Sequence, residues 1–246
     1  MTAVTEQSST PSSASVSQEV LDRAAVHVTA GGLLVLPTDT VYGIGTIASD
    51  ADAVARLLAA KGRGRQMPPP VLVADPEQLD GIVAEVPDTA RALMDAYWPG
   101  ALTIILDAAP DLGWDLGETG GTIAVRMPDD PTALALLRAT GPMAVTSANH
   151  TGEPPATDAA GGTAAFPGRV TAATEAPDDA GGDVDILLLD GGPTPGPVPS
   201  SIVSLAGEKA LAPVLIRDGV LTRAQLAEVL DPVLTAAGAP VIGGGE

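Results

Sequence analysis

Cysteine is missing from this chain altogether, and aromatic residues make up 2% of its 246 positions. The first absence excludes disulfides, thiol catalysis and Cys-based zinc sites, and it fits a reducing compartment. The second argues against a stacking platform for single-stranded nucleic acid, which needs exposed rings. With hydrophobic residues at 45%, the core must be built from Ala, Val, Leu and Ile. Positive charge is also scarce: 12 Lys plus Arg stand against 31 Asp plus Glu, a net charge of -19. Proteins that grip a polyanion over a broad face carry basic stripes. Here the excess acid reads as a solvated surface, and only a small anion in a locally basic pocket stays compatible. No window holds eighteen uninterrupted apolar residues, so no membrane span is expected. The N-terminal "MTAVTEQSSTPSSASVSQEV" lacks the basic and apolar regions of a signal peptide, and the cytoplasm is the expected location. Its Ser/Thr/Pro composition predicts a disordered tail over residues 1–16. Residues 231–246, which end in "AAGAPVIGGGE", read as a loose C-terminal tail.

Between the tails, apolar periodicity alternates between helix and strand. "SQEVLDRAAVHVTAGG" predicts a helix with Ser17 as N-cap and Gly31 as its stop. Leu33 to Leu36 predicts a short buried strand that breaks at Pro37 into a polar turn. "DADAVARLLAAKG" predicts a second helix, capped by Ser49 or Asp50, with Lys61 just past its C-terminal end. Further strands are expected at "PVLVAD", "ALTIILDA", "GTIAVRMP", "PMAVTSAN", "VDILLLDGGP", "SSIVSL" and "APVLIRDG". Further helices are expected around "DTARALMDAYW", from Asp129 to Ala139, and at "TRAQLAEVL". Residues 151–183, rich in Gly, Pro, Ala and Asp, carry no assignable element. Several neighbouring strands have hairpin-length connections, which favours an α/β fold with a mixed sheet and flanking helices over pure βαβ winding. No repeat and no linker divides the chain, so residues 17–230 read as one domain.

Several common site motifs fail on context. The Walker pattern is absent. Gly43, Gly45 and Ala48 match GxGxxA, but the first glycine lies beyond the strand and the helix begins only near residue 50. The position about twenty residues further on is basic where a dinucleotide site needs an acid. There is no GxSxG elbow. Of the two histidines, His27 sits in the first helix, where a surface or core imidazole is the plain reading. The pair Asp129 and Asp130 stands where a helix begins and reads as capping. No His and carboxylate cluster has metal-ligand spacing.

Three stretches stand out. In "LPTDTVYGIG", Thr38, Asp39, Thr40 and Tyr42 end a buried strand. In "VTSANHTGEP", Thr146, Ser147 and Asn149 end another, the usual place for ligands in α/β sheets. Each also reads as a hydrogen-bonded turn. The third, "AKGRGRQMPPP", holds Lys61, Arg63 and Arg65 at alternate positions, in a chain with only 12 cations. A solvated connector has no reason to gather them. Together the three describe a small-molecule site of hydroxyl and amide donors with a cationic loop. That combination suits phosphoryl chemistry, in which Lys and Arg, usually with Mg²⁺, stabilise charge on a leaving pyrophosphate.

"LPTDTVYGIG", "KGRGRQMPPPVLV", "WPGALT", "GTIAVRMPD", "TSANHTGEPP", "DGGPTPGPVPSSIV" and "LIRDGVLT" occur in the order and spacing of the YrdC/Sua5 family, which the chain resembles from about Ser17 to Leu230. The resemblance implies a twisted, open α/β sheet with a concave binding face. It also implies L-threonylcarbamoyladenylate synthase activity on ATP, L-threonine and bicarbonate, with Mg²⁺ entering on the ATP. The product serves the N6-threonylcarbamoyladenosine modification of tRNA, by hand-over to a tRNA threonylcarbamoyl-transferase. Carried over by motif, Lys61, Arg63, Ser147 and Asn149 become the catalytic set and part of the ATP site, with Thr122, Ser201 and Arg217 as further ATP contacts. Thr40, Arg126 and Thr146 become the L-threonine cradle. The chain departs from the family at Gly64, where many relatives have proline, and at Leu72, where many have a threonine-binding His. Ser201 and Ser204 replace a usual Thr and Asp. The length resembles the short YrdC-like form. A non-catalytic RNA-binding member of the same fold is the alternative, and the acidic composition fits it poorly.

Overall fold

The computed structural model describes residues 16–176 and 184–243. All of the expected N-terminal tail except Val16, and residues 244–246, lie outside that description. Helix α1 (Gln18–Thr29) is capped by Ser17, whose hydroxyl accepts from the Val20 N–H. The chain turns at Gly31, where φ is 83°, a left-handed conformation that favours glycine. It then enters β1 (Leu33–Leu36), buried along its whole length. Strand β2 (Gly43–Ile47) returns antiparallel to β1, in a segment whose sequence does not read as a strand. Its glycines are a packing requirement. Beside it lies β6 (Met143–Ser147), and a Cβ on Gly45 would stand 2.6 Å from Val145 Cγ2 and 2.7 Å from the Ala144 carbonyl oxygen.

Helix α2 (Ala51–Ala60) begins at Asp50, whose carboxylate accepts from the N–H groups of Asp52 and Ala53, and it ends at Lys61. After it come β3 (Val71–Leu72), α3 (Asp88–Tyr97), β4 (Leu102–Asp107), β5 (Thr122–Arg126), α4 (Pro131–Thr140) and β6, as the alternation predicts. The stretch with no assignable element contains α5 (Ala159–Ala164), capped by Asp158, and β7 (Val170–Ala172); its residues 177–183 lie outside the description. The chain continues through β8 (Ile186–Leu188), β9 (Ser201–Ser204), β10 (Val214–Arg217) and α6 (Arg223–Ala236).

The strands form one sheet in the order β10-β9-β4-β5-β3-β6-β2-β1-β8-β7. Parallel pairs such as β1 with β8 and β4 with β9 occur beside antiparallel ones, so the sheet is mixed, as expected. Period-two alternation sends side chains to opposite faces. On one face Val35, Ile44, Ile104, Val125 and Val203 pack with Leu57 of α2, Leu93 of α3 and Leu230 of α6. On the other, Leu34, Leu36, Leu72 and Val145 pack with Val28 of α1 and Leu136 of α4. Further along this second face, Thr103, Ile105, Ala124, Arg126, Ile202 and Ile216 line a cavity instead of a core. The concave face implied by the resemblance is this uncovered part of the sheet.

The end of the chain departs from the loose tail expected over residues 231–246. Helix α6 runs through Pro232 to Ala236, and Leu234 is fully buried. Proline removes one helix hydrogen bond and discourages continuation. Here Leu226, Leu230 and Leu234 form a stripe that packs into the core beside α3, and burial of that stripe outweighs the lost bond. Beyond the helix, the Ile242 N–H donates to the Asp231 carboxylate at 2.8 Å.

Candidate active site

The C-cap residue of α2 sends a long cationic side chain inward. Lys61 is 0% exposed, and its Nζ donates to Asn149 Oδ1 at 2.7 Å, to the Ser147 carbonyl oxygen at 2.5 Å, and to the Asn149 carbonyl oxygen. Three acceptor oxygens match the three N–H bonds of an ammonium. Burial, and then the positive charge of Arg63, push its pKa down to about 7. The Ser147 hydroxyl donates to Asn149 Oδ1 at 2.6 Å, and Asn149 Nδ2 donates to the Glu153 carbonyl oxygen at 2.5 Å. Thr151 closes the unit, its hydroxyl donating to the Lys61 carbonyl oxygen at 3.1 Å. The cationic loop and the strand end of β6 are therefore one structure.

The cavity in front of this unit has a volume of about 340 Å³. Arg63, Arg126 and Arg217 line it, and no Asp or Glu does. Arg63 Nη1 donates to Thr146 Oγ1 at 2.8 Å and its Nε to Thr151 Oγ1 at 3.2 Å. Arg126 is held on three sides: Nε donates to the Gly100 carbonyl oxygen at 2.9 Å, Nη1 to Thr40 Oγ1 at 3.1 Å, and Nη2 to Asp39 Oδ1 at 2.6 Å. Arg217 donates through Nε and Nη2 to the Ser200 carbonyl oxygen at 3.0 and 2.8 Å, and through Nη2 to Ser200 Oγ at 3.0 Å. Burial lowers the pKa of Arg63 and Arg217, and the charges of Arg126 and Arg63 lower Arg217 further. Mutual destabilisation of this kind marks a site that gains when an anion enters it. In a molecule of net charge -19, the cavity is a local concentration of the opposite sign.

Most of the residues picked from the sequence converge here. Thr40, Arg63, Thr122, Arg126, Thr146, Ser147 and Arg217 line the cavity, and Lys61 and Asn149 stand directly behind Ser147. Leu72, in place of the family His, forms part of an apolar wall with Val145, Pro69 and Pro70. Ser201 does not line it. Its hydroxyl donates to the Leu221 carbonyl oxygen at 2.7 Å and accepts from the Leu221 N–H at 2.9 Å, and it is 0% exposed. In β9 it shares the orientation of Val203, which belongs to the opposite core. Ser200, one residue earlier, faces the cavity with Ile202 and meets Thr103 Oγ1 at 2.8 Å. Strand alternation, counted from Ile202, is the signal that separates the two serines.

Two other picked side chains are structural. The Tyr42 hydroxyl donates to the Gly192 carbonyl oxygen at 2.7 Å and accepts from the Gly191 N–H, and burial pushes its pKa up to about 12. Arg65 turns to solvent and meets the Asp115 carboxylate through both terminal nitrogens at 3.0 and 2.8 Å. His27 is buried with Nε2 at 3.0 Å from the Leu33 carbonyl oxygen, a core imidazole. Among the described residues no group of three or more His, Cys, Asp or Glu could hold a metal ion, and no helix is long and apolar enough to cross a membrane. The ion pair of Asp39 with Arg126 and the wall formed by Thr103 and Thr119 were not visible in the sequence, because they depend on which strands become neighbours.

The sequence profile of the Sua5/YciO/YrdC family, described as "Telomere recombination", matches residues 27–219. A Mycobacterium tuberculosis protein provisionally named threonylcarbamoyl-AMP synthase is 45% identical over 203 residues, covering 82% of this chain and 85% of its own length. Threonylcarbamoyl-AMP synthase of Bacillus subtilis is 38% identical over 86% of this chain, which spans 56% of that longer protein. Among solved structures, P. abyssi Sua5 complexed with L-threonine superposes with a TM-score of 0.72 at 33% identity, covering 85% of this chain and 57% of its own. The E. coli protein YciO gives a TM-score of 0.70 at 26% identity, covering 87% of this chain and 96% of its own. Sequence and fold agree, and the chain belongs to the Sua5/YciO/YrdC family.

Proposed function

We propose that this chain is a threonylcarbamoyl-AMP synthase, which joins L-threonine, bicarbonate or CO₂, and ATP into threonylcarbamoyl-AMP and pyrophosphate for the tRNA N6-threonylcarbamoyladenosine modification. The relatives named for this activity support the reading. The observation that carries it here is a cavity lined by three guanidiniums, no carboxylate, and a buried lysine behind one wall.

In this reading the amine of L-threonine takes up CO₂ to form a carbamate, releasing a proton. A carbamate oxygen then attacks the α-phosphorus of ATP, the bond from that phosphorus to the β-phosphate bridge breaks, and pyrophosphate leaves with the electron pair. Arg63 and Arg217 sit where negative charge grows on the phosphates, and Lys61 adds its charge from behind Ser147. Fixed side chains lower the barrier because little reorganisation is needed as charge develops. Arg126 and Thr40 hold the carboxylate of threonine, and Thr146, already oriented by Arg63, completes that end. A Mg²⁺ arriving on the triphosphate would be held mainly by phosphate oxygens and its own waters, since the cavity offers it hydroxyls such as those of Ser147, Thr119 and Thr122 and no carboxylate. Such an ion supplies charge neutralisation on the phosphates. The mixed anhydride made here is labile and passes to a tRNA threonylcarbamoyl-transferase.

The test is pyrophosphate release with ATP and Mg²⁺, which should require L-threonine and bicarbonate together. Lys61→Ala and Arg63→Ala should each lower kcat by about 10²–10³-fold, the scale for lost transition-state charge contacts. Release independent of threonine, or wild-type turnover in both variants, would remove the reading.

A further inference from the structure

Arg126 is the most deeply enclosed cation on the cavity wall, 6% exposed, and it is the one with a carboxylate partner. Asp39 meets its Nη2 at 2.6 Å, with both side chains largely out of water, at 7% and 13% exposure. Asp39 is not part of the cavity lining, whereas Thr40 and Arg126 are. The aspartate thus stands behind the arginine, in the turn between β1 and β2. The guanidinium is held through each of its three nitrogens, by Gly100, Thr40 and Asp39. Two N–H bonds, one on each terminal nitrogen, remain after those contacts and are available to a carboxylate.

Resting on the reading above, we propose that Asp39 is a positioning residue for the amino-acid substrate: it fixes the guanidinium of Arg126 and offsets part of its charge, so that this arginine takes the single carboxylate of the amino acid while Arg63 and Arg217 serve the polyphosphate. The three arginines differ in a way that the chain's own pairing creates. Arg63 and Arg217 donate only to hydroxyl and carbonyl oxygens and keep an uncompensated charge. Arg126 donates to a carboxylate, which offsets part of its charge and weakens its pull on a highly charged anion relative to theirs. A buried charge pair of this kind specifies orientation more than it adds stability.

The experiment measures steady-state pyrophosphate release with L-threonine and ATP varied separately. Asp39→Ala should raise KM for L-threonine by about tenfold or more, with kcat within about threefold and KM for ATP within about twofold of wild type. Asp39→Asn keeps an acceptor oxygen at the same reach, so it should give a smaller rise of the same kind. In the double variant with Arg126→Lys, the threonine KM should rise no further than in Arg126→Lys alone, because both changes remove one interaction. Unchanged threonine KM in Asp39→Ala, equal rises for both substrates, or additive effects in the double variant would each overturn the proposal. If Asp39→Ala does not fold, Asp39→Asn carries the same test, and an unchanged threonine KM there overturns it. Threonine-dependent turnover in the wild type separates these outcomes from failure of the synthase reading itself.

Discussion

Lys61 ties the chemistry to pH at the scale of a single residue. Its pKa of about 7 reflects burial first and then the repulsion of Arg63. An ordinary lysine would be fully charged at pH 8, and this one is mostly neutral there. Phosphates entering the cavity favour the ammonium and raise its pKa, so ATP binding should take up a proton at pH 8. At pH 6 the group is already charged and uptake should vanish. Nucleotide affinity should therefore be greatest below pH 7 and fall as the pH rises through the free-protein pKa. Titration calorimetry in two buffers of different ionisation enthalpy measures the uptake directly. Lys61→Arg, charged at every pH used, should show none at pH 8; equal uptake in that variant would place the proton elsewhere. The residue types at this site were legible in the sequence, since Lys61 and Arg63 were conspicuous against the acidic background. Their pairing with Asn149 and Thr146 was not, because it spans the loop after α2 and the far end of β6.

Whole elements were legible where apolar periodicity or a cap announced them, as in α1 behind Ser17 and α2 behind Asp50. They were hidden where packing overrules local preference. β2 looks like a glycine turn because Gly45 must let β6 approach closely. α5 is a six-residue helix with Gly161 and Gly162 inside it, and a Cβ on Gly162 would come within 2.9 Å of Val35. In α6, the Asp-Pro at 231–232 reads as a stop, yet the apolar stripe continues beyond it. That continuation has a measurable consequence. Leu234→Ala should destabilise the protein by about 2–5 kcal/mol in urea unfolding, the range for removing a buried leucine. A change near zero would mean that residues beyond 230 lie outside the cooperative fold. Ser201 was expected as an ATP contact, yet it is Ser200 that faces the cavity: one step along β9 exchanges the cavity for the core.

Across the whole molecule, a net charge of -19, which disfavours long polyanions, surrounds a cavity lined by three arginines. A surface of one sign with a pocket of the other selects a small anion that fits inside over one that must lie across the outside. The mixed sheet makes this possible because α1 and α4 pack on one part of a face whose remaining strands present Arg126, Ile202 and Ile216 to the cavity. In the proposed reaction, threonine, a one-carbon unit and the α-phosphate of ATP meet within that one space. The most direct test is to supply isotopically labelled bicarbonate with unlabelled L-threonine and ATP, and to follow the product by mass spectrometry as pyrophosphate is released. The predicted product is an adenylate that contains threonine and the labelled carbon, formed in step with pyrophosphate. An adenylate of threonine without the label, or pyrophosphate with no labelled adenylate, would contradict the account.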